Sequence, residues 1–293
     1  MEAYPNYTGE TKNGVPHGSG VMIFPNGNRY EGHWVNGKRT GYGKYFYSNG
    51  SKYEGDVYDG HLHGHGVLTF SNGNHYEGQF KLGKREGRGV FTWHDGERYE
   101  GSFVNDKRDG YGVYYYANRD VYKGRFSNGL KHGFGVYYYA NGDKYEGYFK
   151  EGQRHGSGTL QFSNGDRYEG EFKNDKQNGM GLFFEASSGS KYEGKFKNDR
   201  KHGEGILFCK RDGSVWQQKW KSGSLISSVR MTEAQLLDGK IASNNYNYTS
   251  KLALELQREV PMWRNRTLPY RVALKIFSYL DVKSLCLACQ VCS

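Results

Sequence analysis

The sequence predicts an all-β repeat array, in which β-hairpins stack into an elongated, twisted, single-layer antiparallel sheet, followed by a small α-helical C-terminal region. Two observations predict this fold. A motif of about 23 residues recurs along most of the chain, and each copy holds two short alternating segments separated by tight turns. The composition agrees, because 26 Tyr, 16 Phe and 43 Gly make aromatic rings the main source of buried area.

Each copy of the motif begins with an aromatic residue, any residue and a glycine. Nine residues after that glycine comes a Gly-x-Gly, as in Gly41-Tyr42-Gly43. The first residues of the nine full copies are Tyr7, Tyr30, Tyr53, Tyr76, Tyr99, Tyr122, Tyr145, Tyr168 and Tyr192. The last interval is one residue longer than the others, and a degenerate tenth copy starts at Trp216 without a Gly-x-Gly. We expect this tenth copy to be a terminal cap.

Within a copy, residues 30–35 alternate with period two and residues 41–47 form a second alternating segment, with an Asn-Gly turn after the first. This pattern predicts two strands of one hairpin. Both glycines of each Gly-x-Gly lack a Cβ, so we expect them to receive an aromatic ring from the neighbouring strand. In one copy, Tyr145 and Phe149 are expected to stack near Gly133 and Gly156.

The glycine pairs have an alternative interpretation as phosphate-binding loops. Such a loop precedes a helix N-terminus and carries a further glycine or a Lys-Ser/Thr pair. A predicted strand follows every pair in this chain, so the pairs favour a sheet over a nucleotide site.

Over about residues 7–223, the motif Y-E-G-x-F-x-x-G/D-K-x-x-G-x-G-x-x-x-x-x-N-G-x-x resembles the MORN repeat. The resemblance implies a stack of hairpins that forms an elongated trough for protein partners, often helical ones, and that in some members associates with phosphoinositide membranes. The chain departs from the pattern at Asn118-Arg119 in place of Asn-Gly, at Lys123 in place of Glu, and at Tyr7-Thr8-Gly9.

The chain is basic, with a net charge of +10, which favours acidic proteins, anionic lipids or nucleic acid as partners. Most copies carry a cation in the loop before Gly-x-Gly, and stacking is expected to align these cations about 10 Å apart. They are Lys38, Lys84, Lys107, Lys131, Arg154, Lys176 and Lys201. The row could contact an anionic lipid or an acidic protein, or could only solvate the turns. Nucleic acid is not expected, because no reading helix accompanies the cations.

No paired carboxylates, nucleophile elbow or His-Glu-x-x-His motif occurs, so we expect neither catalysis nor a cofactor. His61, His63 and His65 alternate, which places three imidazoles on one face of a strand. Without a further ligand, this cluster is more typical of a surface than of a zinc site.

The 4 cysteines are Cys209 and a C-terminal group of Cys286, Cys289 and Cys292. This distribution does not predict a disulfide framework, and it fits a reducing compartment. A helix would spread the C-terminal three around its surface, so we expect no metal there. No apolar run reaches the roughly 18 residues of a membrane span, and the N-terminus does not resemble a signal peptide. We expect a cytoplasmic protein, with a cytoskeletal or ciliary association as a further expectation.

We expect three regions: the repeat array at 1–223, a linker with capping helices at 224–266, and truncated F-box-like helices at 267–293. Thr232 and Gln235 have the spacing of a capping box ahead of a short helix. Residues 251–260 predict another helix, which Pro261 ends.

Residues 268–293, LPYRVALKIFSYLDVKSLCLACQVCS, resemble the beginning of an F-box. The positions that match its pattern are Leu268, Pro269, Ile276, Phe277, Leu280, Asp281, Leu285, Val291 and Cys292. The resemblance implies that Leu268, Pro269, Ile276, Phe277 and Leu280 bind the Skp adaptor of a cullin ubiquitin ligase.

Two functions therefore compete. The first is a non-enzymatic adaptor whose repeats bind a protein and whose tail links that protein to a Skp–cullin–F-box ligase. The alternative is a structural scaffold that binds anionic lipid or joins an axonemal assembly, with no ubiquitin role.

Overall fold

The computed structural model describes residues 4–232 and residue 235. The chain divides into two compact units, Met1–Asn178 and Gly179–Ser293. The strands of the first unit are β1 (Tyr7–Lys12), β2 (Val15–Ile23), β3 (Arg29–Val35), β4 (Lys38–Phe46), β5 (Lys52–Tyr58), β6 (His61–Thr69), β7 (His75–Lys81), β8 (Lys84–Thr92), β9 (Arg98–Val104), β10 (Lys107–Tyr115), β11 (Val121–Ser127), β12 (Leu130–Tyr138), β13 (Lys144–Lys150), β14 (Gln153–Gln161) and β15 (Arg167–Lys173). Strand β16 (Lys176–Phe184) contains the boundary, and β17 (Lys191–Lys197), β18 (Arg200–Phe208), β19 (Val215–Lys221) and β20 (Ser224–Arg230) lie in the second unit.

Within Met1–Asn178, strands β1 to β15 pair antiparallel with their neighbours in sequence. Two-residue turns close the hairpins, as at Asn36 and Gly37, whose φ angles are 49° and 80°. Positive φ at both positions matches the twist of the flanking strands. The predicted array of antiparallel hairpins is confirmed.

A bulge interrupts each of these hairpins before the second glycine of Gly-x-Gly. Between β3 and β4, Gly32 pairs with Gly43 and Trp34 pairs with Arg39, so His33 alone faces residues 40–42. Gly41 lies in this bulge with φ of 73°, a conformation that side chains with a Cβ disfavour. The first glycine is therefore required by the positive φ angle in the bulge. The expectation that it receives a ring is wrong.

The second glycine of each pair does receive a ring. Any side chain at Gly158 would overlap the ring of Tyr145, and Gly147 lies against the same hydroxyl. The expected contact of Tyr145 with Gly133 and Gly156 is therefore wrong, although Phe149 pairs with Gly133 in register. The ring lies over its own strand's glycine and the glycine opposite it, because these two pair directly.

The tyrosine hydroxyl has a partner in the bulge. Tyr145 donates to the backbone carbonyl of Tyr148 at 3.0 Å, and the bonds from Tyr76 to Gln79 and from Tyr99 to Ser102 are equivalent. The bulge leaves this carbonyl outside the regular ladder, and a buried carbonyl without a partner is costly. This bond explains why the repeat begins with Tyr rather than with Phe.

The core lies on one side of the hairpins, which we call the core face, and consists of edge-to-face rings. Tyr145 is 0% exposed and its ring centroid lies 5.2 Å from that of Phe149 and 5.0 Å from that of Phe172. Such pairs add to the stabilisation that comes from burial alone. The opposite side, which we call the variable face, carries residues such as Glu146 and Tyr148.

In the second unit, strands β16 to β20 pair antiparallel with their neighbours in sequence. The inserted residue lengthens a turn, since the Gly189 amide donates to the Glu185 carbonyl four residues back. Gln218 pairs with Gly205 and is buried, so it takes the place of a repeat glycine. Strands β19 and β20 form the degenerate tenth hairpin.

The structure extends the strands beyond the expected boundary at residue 223. Residues 224–230, expected to begin the linker, form β20, which pairs with β19. Gln235 accepts a hydrogen bond from the Thr232 amide at 2.8 Å and donates its own amide to the Thr232 hydroxyl at 3.4 Å. The capping box is confirmed, whereas the remainder of the expected helices lies outside the described residues.

Candidate protein-binding surface

The seven cations expected to form one row lie at two different strand positions. Lys38, Lys84, Lys107 and Lys176 are the first residues of their strands and are exposed. Lys131, Arg154 and Lys201 are second residues and are half-buried. Because side chains alternate between faces along a strand, the cations form no single charged row.

Three of the first-position lysines, Lys38, Lys84 and Lys107, contact the turn of the following hairpin. Lys38 lies 2.8 Å from the Asp59 carboxylate, and Lys84 donates to the Asn105 side chain at 3.4 Å. The hydrogen bond to Asp59 raises the pKa of the Lys38 ammonium. Exposed pairs of this kind add little stability, so these lysines remain accessible to an anionic partner.

The second-position cations lie on the core face and contact rings. The Lys131 ammonium is 4.6 Å from the ring centroid of Tyr137 and 5.4 Å from that of Phe149. Lys201 lies 4.2 Å from the centroid of Tyr192. Burial lowers the pKa of both Lys131 and Lys201. These geometries are typical of cation–π pairs, and they leave the two ammonium groups poorly placed for a lipid surface.

Sequence reasoning missed further cations at the same second position. Arg85 donates from Nε to the Asp106 carboxylate at 3.1 Å and from Nη2 to the Asp106 carbonyl at 2.9 Å. Arg108 donates to the Gly129 carbonyl at 2.8 Å and lies 5.0 Å from the ring centroid of Tyr114. Each side chain thus connects a ring cluster to the next turn. The recurring Lys-Arg-x-Gly motif is the sequence signal that could have identified these arginines.

His61, His63 and His65 lie at a bulge in β6. Val57 pairs with Leu62 and Gly55 with Gly66, so residues 63–65 lie in the bulge, and Gly64 has φ of 56°. His61 pairs with Tyr58 and His65 with Gln79 on the variable face, and the ring centroid of His63 lies 5.5 Å from that of Tyr58. In residues 4–232 and residue 235, no group of three or more His, Cys, Asp or Glu could hold a metal ion.

The variable face carries exposed aromatic rings on strands β10, β12 and β13. We call this set the aromatic patch: Tyr111, Tyr115, Phe134, Tyr138 and Tyr148, with exposures of 61%, 36%, 49%, 40% and 53%. The rings of Phe134 and Tyr148 pack edge to face with centroids 5.7 Å apart. Lys123, on β11 between these strands, lies with its ammonium 5.5 Å from the ring centroid of Tyr138.

The residues expected to bind a Skp adaptor, Leu268, Pro269, Ile276, Phe277 and Leu280, lie outside the described residues. In the part of the chain that the structure describes, no helix has the length and apolar character of a membrane span.

The hairpins and their repeated ring-on-glycine packing define a β-repeat protein with exposed sheet faces. Its family follows from nine matches to the MORN repeat, at residues 7–29, 30–52, 53–75, 76–98, 99–121, 122–144, 145–167, 168–184 and 192–213. These matches cover more than half of the chain, which therefore belongs to the MORN-repeat family. An F-box-like match covers residues 266–293. Together the two matches fit a protein-interaction protein.

No curated protein matches the chain. Among solved structures, the TCP10 domain of Danio rerio CPAP in complex with a peptide of Danio rerio STIL is similar, with 14% identity, 74% of this chain and 97% of that chain covered, and a TM-score of 0.44. The SAS-4 TCP domain of Drosophila melanogaster, in complex with a proline-rich motif of Ana2, shares 14% identity over 53% of this chain and 85% of that chain, with a TM-score of 0.35. At these scores, neither structure bears on the partner of this chain.

Proposed function

We propose that the chain is a non-enzymatic adaptor, in which the MORN repeats bind a partner protein and the F-box-like tail links that partner to a Skp–cullin–F-box ubiquitin ligase. The observation that carries the proposal is the presence, in one chain, of an F-box-like segment at 266–293 and a repeat array. The array offers a stable core face and an exposed variable face. An adaptor needs these two binding elements and no chemistry of its own.

The ligase link is tested by co-purification of the full chain with a Skp adaptor and cullin. Ile276→Ala with Phe277→Ala removes the matching apolar residues and is expected to abolish recovery. Ser278→Ala changes a neighbouring position outside the F-box pattern and is the matched control. Failure of the unchanged chain to recover a Skp adaptor would reject the ligase link.

A second candidate function is a scaffold on anionic lipid, and the exposed first-position lysines favour it. Juxtaposed cations contribute about 1 kcal/mol each at a charged membrane. Vesicles containing a phosphoinositide should float the unchanged chain, and Lys38→Glu, Lys84→Glu and Lys107→Glu together should abolish flotation. The control reverses three exposed cations at the opposite ends of the hairpins: Arg29, Lys52 and Arg167. Equal flotation of both triple variants would remove this function.

A further inference from the structure

The aromatic patch forms two rows on adjoining strands of the variable face. Tyr115 pairs with Val121, and Val121 pairs with Tyr138, which makes one row. Tyr111 and the Phe134–Tyr148 pair make the other. The rows are four residues apart along each strand, or about 13 Å at the rise of a strand. That separation is wide enough for one polypeptide segment to lie between them, across the strands.

The fold does not require rings at these positions. In the strands that flank the patch, the residues equivalent to Phe134 and Tyr138 are polar: Arg88 and Thr92 in β8, and Ser157 and Gln161 in β14. Those strands pair in the same register as β12. Contiguous exposed apolar surface that the fold does not require is typical of an interaction site.

The floor between the two rows contains a cation where other repeats have a carboxylate. Lys123 pairs in register with Val113 and Val136. In β13, the equivalent Glu146 accepts from Lys144 at 2.8 Å, whereas β11 begins with Val121 and offers no such partner. Within the described residues, Lys123 has no ion pair. The patch therefore holds an ammonium group that lies beside Val113, Val136 and Tyr138 and has no ion pair among the described residues.

The charges around the patch favour a negatively charged occupant. Arg125, Lys144 and Lys150 lie on the same face of β11 and β13. The two carboxylates in the cross-strand row of Lys123 are already paired, Glu100 with Arg98 and Glu146 with Lys144. A carboxylate of a partner would supply the counter-charge that Lys123 lacks, and complementary charge fixes the register of a bound segment. The chain's own F-box-like segment is basic, with Arg266, Arg271, Lys275 and Lys283 against Asp281, so it does not supply this complement.

We propose that the aromatic patch with Lys123 holds an acidic segment of a partner protein, with apolar side chains against the two rows and a carboxylate on Lys123. This inference rests on the proposed function, because it assigns the surface by which the repeats hold their partner. Specificity then resides in β10–β13 rather than in the remaining repeats.

The experiment selects binders to the full chain from a random peptide library displayed on phage, and measures the affinity of the enriched peptides by fluorescence anisotropy. Enriched peptides are expected to combine Asp or Glu with aromatic or aliphatic residues. Lys123→Glu restores the residue of the other repeats and is expected to weaken binding by about tenfold or more. Phe134→Ser with Tyr138→Gln copies the residues of β14 and is expected to abolish binding.

Two controls accompany these variants. Lys81→Glu makes the same charge reversal on the variable face of β7, away from the rings, and should leave affinity unchanged. Circular dichroism checks that every variant remains folded. We expect the patch variants to fold, because the introduced residues already occur at the equivalent positions of other repeats. The proposal is overturned by a library that yields no binder, by enriched peptides without acidic residues, or by equal affinity of the Lys123→Glu and unchanged chains.

Failure of this inference is distinguishable from failure of the adaptor function. The patch variants leave residues 266–293 unchanged, so recovery of a Skp adaptor should be the same for all of them. Peptide binding without Skp recovery would reject the ligase link and retain the patch. Skp recovery without peptide binding would reject the patch alone.

Discussion

Strands β6–β9 and β10–β13 have the same backbone pairing and the same core face, but their variable faces differ. Both segments bury the tyrosine that starts each repeat, as Tyr76 and Tyr122 show with 0% exposure. On the variable face, Arg88 and Thr92 of β8 correspond to Phe134 and Tyr138 of β12. The difference shows that ring-on-glycine packing dictates one face, whereas the other face is free to acquire binding residues.

The largest expected effect separates the two faces within one strand. Tyr145→Ala removes a buried ring and should cost about 3–5 kcal/mol of unfolding free energy, by analogy with large-to-small core substitutions. Tyr148→Ala, three residues later on the variable face, removes only the cross-strand contact with Phe134 and should cost about 1 kcal/mol or less. Guanidinium denaturation of the two variants measures both. Similar losses would show that the two faces are not energetically distinct.

The buried tyrosines also predict an alkaline limit to stability. Burial raises the pKa of Tyr76 and Tyr99 to about 12, whereas an unfolded chain releases these protons near pH 10. The folded state therefore binds more protons in this interval, so stability is fully present below about pH 10 and falls as pH rises towards about 12. The prediction is tested by measuring the denaturation midpoint across this pH range and comparing it with the ultraviolet titration of tyrosinate. A midpoint that stays constant above pH 10 would contradict it.

Removing only the hydroxyl should have a smaller effect. Tyr145→Phe leaves the Tyr148 carbonyl without its 3.0 Å hydrogen bond and should cost about 1 kcal/mol. The Tyr192 hydroxyl is buried with no hydrogen-bond partner among the described residues, so Tyr192→Phe should be neutral or stabilising. Thermal melts of this matched pair distinguish a role for the bond from a role for the ring, since equal shifts would remove the hydrogen-bond explanation.

The smallest expected effect concerns the turn that departs from Asn-Gly. Arg119 has φ of 72°, a conformation that glycine adopts in the equivalent turns, as Gly142 does at 91°. Arg119→Gly should therefore raise the unfolding free energy by about 1 kcal/mol. The matched change Gly142→Arg should lower it by a similar amount. Calorimetry that shows an unchanged or lower melting temperature for Arg119→Gly would refute the strain at this turn.

The sequence was sufficient to predict the hairpins, because the period and the alternation both follow from local composition. It could not predict the bulge, since pairing Gly32 with Gly43 and Trp34 with Arg39 is a property of two strands together. The seven cations were assigned to one row because each precedes a Gly-x-Gly. Lys38 lies three residues before the first glycine and Lys131 only two, so alternation places them on opposite faces.

The aromatic patch was also missed, for a related reason. Aromatic residues were assigned to the core because they dominate the composition, and exposure cannot be read from residue type alone. Counting alternation outward from the second glycine, Gly135, would have placed Phe134 and Val136 on the face opposite Tyr137. Lys123 was noted only as a departure from the repeat, and its apolar surroundings required the register of β10, β11 and β12.

The central claim is that the core face stabilises the fold whereas the variable face of β10–β13 binds the partner. Hydrogen exchange of the full chain, with and without an acidic peptide selected on it, tests this claim most directly. Amides of bound strands open less often and exchange more slowly. We predict slower exchange within residues 107–150 and no change within residues 61–104. Equal slowing in both segments, or slowing confined to 61–104, would contradict the account.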